Sequence, residues 1–244
     1  DFIASLKEVR GEKADLPHEA ATLAVMAALH GAVWTVKSVT RGERRRNPAP
    51  PFITSTLQQD ASRKLHFTAK KTMMLAQQLY EGVELGEEGA VGLITYMRTD
   101  AVRVAAEAQE EAREWVTGRL GREYLPDAPP TYKAKKSAQE AHEAVRPSSV
   151  AREPKVVARF LSKDQLALYR LIWERFLASQ MLPAVYDTVA ADITAGDGLF
   201  RAQGSTMKFP GFTAVYVESR EATDETPEEE AEAVMPPLTV GETL

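Results

Sequence analysis

No cysteine occurs among the 244 residues, which excludes a disulfide scaffold, a thiolate metal site and a cysteine nucleophile. Four histidines stand at 18, 30, 66 and 142, and no two are spaced as the His-x-x-x-His pair of a helical zinc site, so a zinc enzyme is not expected. An unbroken apolar run of about 20 residues is missing, so no membrane-spanning helix is expected. Missing too are a Gly-x-x-x-x-Gly-Lys phosphate loop, a Gly-x-Gly-x-x-Gly turn, a Gly-x-Ser-x-Gly elbow and an Asp-x-Asp pair, which argues against nucleotide hydrolysis and serine-hydrolase chemistry. The chain opens Asp1-Phe2-Ile3, with no Met and no basic or apolar leader; no secretory signal is read, and a piece of a longer polypeptide is expected.

Present instead is the composition of a folded protein, 44% hydrophobic and 27% charged, long enough for one large domain or two ordinary ones. The net charge of −5 is unevenly spread. Residues 218–244 hold nine acidic residues against Arg220, which leaves 29 basic against 26 acidic, or +3, over residues 1–217. Within that part Arg41, Arg44, Arg45 and Arg46 form one basic cluster and Lys133, Lys135 and Lys136 another. Such clusters attract polyanions, or are merely solvated surface. Trp34, Phe52 and Tyr132 lie near them in sequence, where aromatic rings can stack bases, although Trp34 reads as a core residue.

Residues 2–9 and 32–39 alternate as strands do, and the Ala-rich segment 18–30 between them, closed by Gly31, reads as a helix. The prolines at 48, 50 and 51 stiffen the chain and mark a domain boundary. Two helices follow, one from Thr54 with Leu57, Ala61 and Leu65 on a face, and one over 69–81, capped by Thr68, with Thr72, Leu75, Ala76, Leu79 and Tyr80 on its packed face. A strand over 91–96 after this pair suggests a winged helix. Helix is predicted again over 101–120 and 155–181, with a Pro- and Lys-containing loop over 121–139. Strands are predicted over 184–194, 199–205 and 212–218, and the acidic 219–237 as a linker. The fold class is therefore α+β: a helical, winged-helix-like domain over 56–182, inserted into a discontinuous β-rich domain made of 1–55 and 183–244.

Two runs carry candidate chemistry. In Gly92-Leu93-Ile94-Thr95-Tyr96-Met97-Arg98-Thr99-Asp100, a strand would put Tyr96 and Arg98 on one face. A phenol beside a guanidinium suits attack on a phosphodiester, because the cation neutralises phosphate oxygens. A half-buried strand tyrosine beside a surface arginine fits the same spacing. The second run, Ala138-Gln139-Glu140-Ala141-His142-Glu143-Ala144-Val145-Arg146-Pro147, sets His142 among polar residues, which also describes a helix-surface histidine.

Taken together, the stretch from Pro50-Pro51-Phe52-Ile53-Thr54-Ser55-Thr56-Leu57-Gln58-Gln59 to Arg63-Lys64-Leu65, then Gln77-Gln78-Leu79-Tyr80-Glu81-Gly82, then these two runs, closely resembles bacterial type IA DNA topoisomerase I. The resemblance is strongest over 47–150. It implies that Tyr96 is the nucleophile that becomes linked to a DNA 5′-phosphate, that Arg98 positions the scissile phosphate, and that His142 joins the hydrogen-bond network there. It gives supporting roles to Asp100 and Arg146, and DNA-binding roles to Arg63 and Lys64. Ala101 departs from the family pattern, which usually has Ser after Thr-Asp.

The resemblance further implies a toroidal enzyme in which a β-rich arch carries the tyrosine domain, with single-stranded DNA as partner at the cleavage site. No membrane and no nucleotide cofactor is implied, and the location is the bacterial cytoplasm, at the nucleoid. Mg²⁺ is the implied cofactor, held by the acidic residues of a Toprim domain that this chain does not contain, so the chain by itself is expected to be inactive. Two other readings compete: a non-catalytic winged-helix DNA-binding module in which Tyr96 is structural, and a β-rich interaction domain with an acidic tail.

Overall fold

The computed structural model describes residues 2–132, 142–216 and 234–244. Along the chain run β1 (Ser5–Val9), β2 (Glu12–Lys13), α1 (Glu19–Leu29), β3 (Trp34–Arg46), α2 (Thr54–Leu65), α3 (Ala69–Glu81), β4 (Val83–Glu84), β5 (Ala90–Val91), α4 (Ala106–Arg119), α5 (Pro154–Val157), α6 (Lys163–Ser179), β6 (Ala184–Ala195) and β7 (Gly198–Phe209). The architecture is mixed α+β and divides into two units. One comprises Asp1–Arg45, Val185–Phe209 and Ala222–Leu244; the other comprises Arg46–Ala184 and Pro210–Glu221.

The first unit is a five-stranded sheet in the order β2-β1-β7-β6-β3. The β6–β7 hairpin is antiparallel from Val185 opposite Phe209 to Ala195 opposite Gly198. Its period-2 pattern puts Ile193, Ala195, Phe200 and Ala202 into one core with Trp34, Leu6 and Leu29, and Ala191 into a second with Val36 and Leu238. Trp34 stacks at 4.6 Å on Phe200, so it is a core residue. The strand read over 32–39 continues to Arg46, which puts the Arg41–Arg46 cluster on β3 rather than in a loop. Alternation separates these charges, and the Arg44 guanidinium lies 5.1 Å from the ring centre of Tyr186 while Glu43 pairs with Lys208. None of the side chains of α1 is fully buried, and Leu29 at its end packs against the sheet.

The second unit is built on helices. His66, in the left-handed conformation at φ 55°, ends α2, and the Thr68 hydroxyl accepts the Lys71 N–H to start α3. The two helices pack through Leu57 and Ala61, and Leu75, Ala76 and Leu79. The Ser162 hydroxyl and Gln165 side chain cap α6 reciprocally, and α6 is buried at Leu168, Tyr169, Ile172, Trp173, Phe176 and Leu177. Residues 46–55 and 210–216, read from sequence as β-rich, belong with this unit, because Phe52, Phe212 and Tyr216 are fully buried within it.

Two predicted strands are not strands. Residues 212–218 are, over the described positions, a 3₁₀ turn at Gly211–Ala214. Gly211 has φ +49°, and a Cβ there would lie 2.3 Å from the Pro183 carbonyl oxygen; after the turn the Tyr216 N–H donates to the Phe212 carbonyl at 3.1 Å, and both side chains are buried. The strand over 91–96 stops at Val91. Beyond it the backbone bonds by turns to the end of α3 and to a distant segment, not to a neighbouring ladder. The acidic linker read over 219–237 lies mostly outside the described residues.

Candidate active site

Three sequence motifs meet in the second unit. The loop that bears Tyr96 is fixed to α3 by the Leu93 N–H, which donates to the Leu79 carbonyl at 2.7 Å. The 142–148 segment closes on its other side. The Thr95 hydroxyl lies 2.7 Å from the Ala144 carbonyl oxygen and accepts the Arg146 N–H at 3.0 Å, and the Thr95 N–H donates to the Arg146 carbonyl at 2.9 Å. Ile94 and Pro147 form a β-bridge, as do Phe52 and Val145. Finally, Thr54 at the start of α2 ties the far end of the loop: its hydroxyl is 2.8 Å from the Met97 carbonyl and accepts the Thr99 N–H at 2.9 Å.

These ties display the polar side chains on one exposed edge. Tyr96 is 40% exposed and its ring lies 6.2 Å from that of His142 and 5.4 Å from that of Tyr80. Among the described residues nothing hydrogen-bonds the Tyr96 hydroxyl. Arg98, Asp100 and His142 line an open cleft of about 500 Å³ with Ile53, Thr54, Ser55, Gln58 and Thr99. Arg98 and Asp100 are exposed and have no ion-pair partner among the described residues, so both are available to a ligand. Met97, between Tyr96 and Arg98, is fully buried. It is this buried anchor and the bend around it that turn the two outward, since the expected strand is absent. A cleft with a guanidinium, an imidazole, hydroxyls and an exposed phenol alongside suits an anion with a tetrahedral centre.

Other residues named from sequence sit differently. Arg146 is engaged within the protein: its side chain is 12% exposed and bonds Glu143 at 2.7 Å and the Pro147 carbonyl at 2.9 Å. It buttresses the His142 segment and does not line the cleft. Arg63 and Lys64 lie in the last turn of α2, roughly 14 Å along the helix from Thr54. There Arg63 approaches Asp60 at 3.9 Å and the Lys64 ammonium sits 3.5 Å from the centre of the Tyr216 ring. The Tyr216 hydroxyl donates to Asp60, and Arg175 approaches the same carboxylate at 3.7 Å. Burial, then this hydrogen bond and the carboxylate's charge, push the Tyr216 phenol far above its usual range. Ala101 is buried and gives its N–H to the Thr99 hydroxyl at 3.0 Å; Thr99 thus supplies a local cap despite the missing serine.

Sequence reasoning assigned no role to Thr54, Ser55, Gln58, Tyr80 or Thr95, although all lie inside the quoted motifs. Tyr80, predicted for the packed face of α3, is 41% exposed and lies against Tyr96. The Lys133–Lys136 cluster lies outside the described residues. Among the described residues no three His, Asp or Glu side chains come together to hold a metal ion, and the cleft offers one carboxylate beside a cationic Arg98, a poor donor set for a divalent cation. No described helix is long and apolar enough to cross a membrane.

The sequence profile of the DNA topoisomerase family matches residues 4–244. The structure of full-length topoisomerase I from Thermotoga maritima superposes with a TM-score of 0.77 at 36% sequence identity, over 100% of this chain and 37% of that one. This chain thus spans little more than a third of that relative's length. A profile match over nearly the whole sequence, and a shared fold at that identity, make this chain a member of the bacterial type IA DNA topoisomerase family.

Proposed function

We propose that this chain supplies the tyrosine-bearing half of a site that cuts and rejoins one strand of DNA. The observation that carries the reading is the exposed Tyr96 phenol beside His142 and the Arg98-lined cleft. The Tyr96 oxygen bonds to phosphorus and gives its proton to solvent, the bond from phosphorus to the 3′ oxygen breaks, and that oxygen takes up a proton. A 5′-phosphotyrosyl link and a free 3′-hydroxyl result. Because the new ester keeps the energy of the old one, reversal needs no ATP, and relaxation of negative supercoils follows from strand passage between the two steps. Arg98 holds the phosphate oxygens as charge builds on them, and His142 completes their hydrogen bonding. Asp100 and Arg146 act in support, the latter by bracing the His142 segment.

DNA, single-stranded at the break, is the partner, which places the enzyme in the bacterial cytoplasm at the nucleoid. Mg²⁺ would be held by acidic residues outside this chain and would neutralise phosphate charge when bound, and no step described for Tyr96, Arg98 or His142 runs through it. The β-rich unit is the arch, and the helical unit is the tyrosine domain of the toroid.

The test uses the intact enzyme that carries these residues. Tyr96→Phe removes one oxygen, so the covalent adduct trapped by denaturation should vanish while single-strand binding persists. Arg98→Ala should slow adduct formation roughly a hundredfold without abolishing it. An adduct that survives Tyr96→Phe would show that another residue is the nucleophile.

A further inference from the structure

We infer that Tyr80 is a positioning residue for the cleavage step, one that fixes the Tyr96 ring so that its oxygen is presented to the phosphate. The inference rests on the reading of Tyr96 as the nucleophile. Tyr80 is in the last turn of α3, and its ring meets that of Tyr96 at 5.4 Å between centroids and 64° between planes. This is the edge-to-face arrangement in which the positive rim of one ring attracts the negative face of another. His142 meets Tyr96 at 6.2 Å, so two neighbouring rings contact the phenol. With no hydrogen bond to its hydroxyl among the described residues, ring contacts are what orient it.

The backbone enforces the encounter. A Cβ on Gly92 would lie 2.7 Å from the Tyr80 carbonyl oxygen, so the bare glycine lets the loop press against the end of α3. The Leu93 N–H is bonded there to Leu79, and the Ser148 hydroxyl holds the Gly92 carbonyl at 2.7 Å from the other side. The Tyr96 loop is therefore seated on the helical turn that bears Tyr80. An exposed phenol free to rotate would spend much of its time in unproductive rotamers, and limiting that freedom speeds attack. Because Tyr80 is itself exposed, it could instead stack a nucleobase; that role would appear in DNA affinity and not in the rate of cleavage.

The experiment compares Tyr80→Ala, Tyr80→Leu, Tyr80→Phe and Tyr96→Phe in the intact enzyme, with thermal melting as a check on folding. It reads single-turnover adduct formation on a single-stranded oligonucleotide, and noncovalent affinity with each Tyr80 change placed on Tyr96→Phe. Tyr80→Ala and Tyr80→Leu should slow adduct formation roughly threefold to tenfold with affinity unchanged, and Tyr80→Phe, which keeps the ring, should restore the rate. A normal rate for Tyr80→Ala and Tyr80→Leu, a slow Tyr80→Phe, or a loss confined to affinity would each overturn the positioning role. Should Tyr96→Phe still form the adduct, the nucleophile assignment fails instead.

Discussion

The hydroxyl of Thr95 joins two motifs whose bonded residues are 49 and 51 positions apart in the chain. It approaches one carbonyl of the 144–146 segment and accepts one of its N–H groups, and it belongs to the residue next to Tyr96. Thr95→Val keeps the shape and removes both bonds, leaving the Arg146 N–H without that acceptor. A loss of about 1–3 kcal/mol in unfolding free energy is expected in urea titrations. The same change should slow adduct formation, because a shift of even about 1 Å between Tyr96 and His142 is costly for in-line attack. Unaltered stability would mean that the Thr95 bonds are dispensable and that the bridges at Ile94 and Phe52 hold the loop alone.

At the scale of elements, helices were legible where caps and periodicity agreed. Thr68 caps α3 where the sequence suggests, and the residues spaced along α2 and α3 are the buried ones, with the exceptions of Leu65, which is half-buried, and Tyr80. The run 91–96 misled because β-branched and aromatic residues suit any extended chain, while a ladder needs a partner. Here the partners are the end of α3 and the distant 144–148 segment, which no local pattern reveals. Residues 212–216 misled in the same way: their apolar character reports burial, and the turn chemistry at Pro210-Gly211 decides the conformation. Of the site, the types Tyr, Arg and His were legible through resemblance. Their juxtaposition was not, because buried Met97 and the Thr54 and Thr95 hydroxyls create it.

Helix α4 makes a further link that can be tested by acid. Glu111 receives hydrogen bonds from the Ser149 hydroxyl and from the Ala151 N–H at 3.1 Å, and so fastens α4 to the stretch that follows the His142 segment. Burial tends to raise its pKa, but the bonds from Ser149, Val150 and Ala151 outweigh this and hold the carboxyl below its usual value of 4.5. A carboxylate whose pKa is depressed by folding stabilises the protein above the unfolded value, and that contribution fades as pH falls through the folded one. Melting temperature should therefore drop below about pH 4.5, and Glu111→Gln should lower it at neutral pH and flatten part of the acid slope. A wild-type acid slope in the variant would assign the loss to other carboxylates.

For the molecule as a whole, two units with their own buried cores account for folding, while the proposed chemistry lies in one of them. The sheet unit packs Trp34, Phe200 and Ile193, and the helical unit packs α6 against Leu57, Leu75 and Leu79. The 244-residue chain should thus unfold cooperatively on heating, and it should bind single-stranded DNA weakly, with affinity that falls steeply in salt, because the +3 charge of residues 1–217 is opposed by the acidic 218–244. It should nonetheless fail to relax supercoiled plasmid in the presence of Mg²⁺. Tyr96 and Arg98 can present a nucleophile and a cation, but no metal-binding carboxylate cluster exists among the described residues, and without one the charge of the attacked phosphate is only partly met. Plasmid relaxation by the purified chain, abolished by Tyr96→Phe, would refute this division of the site and show that these residues complete the reaction unaided.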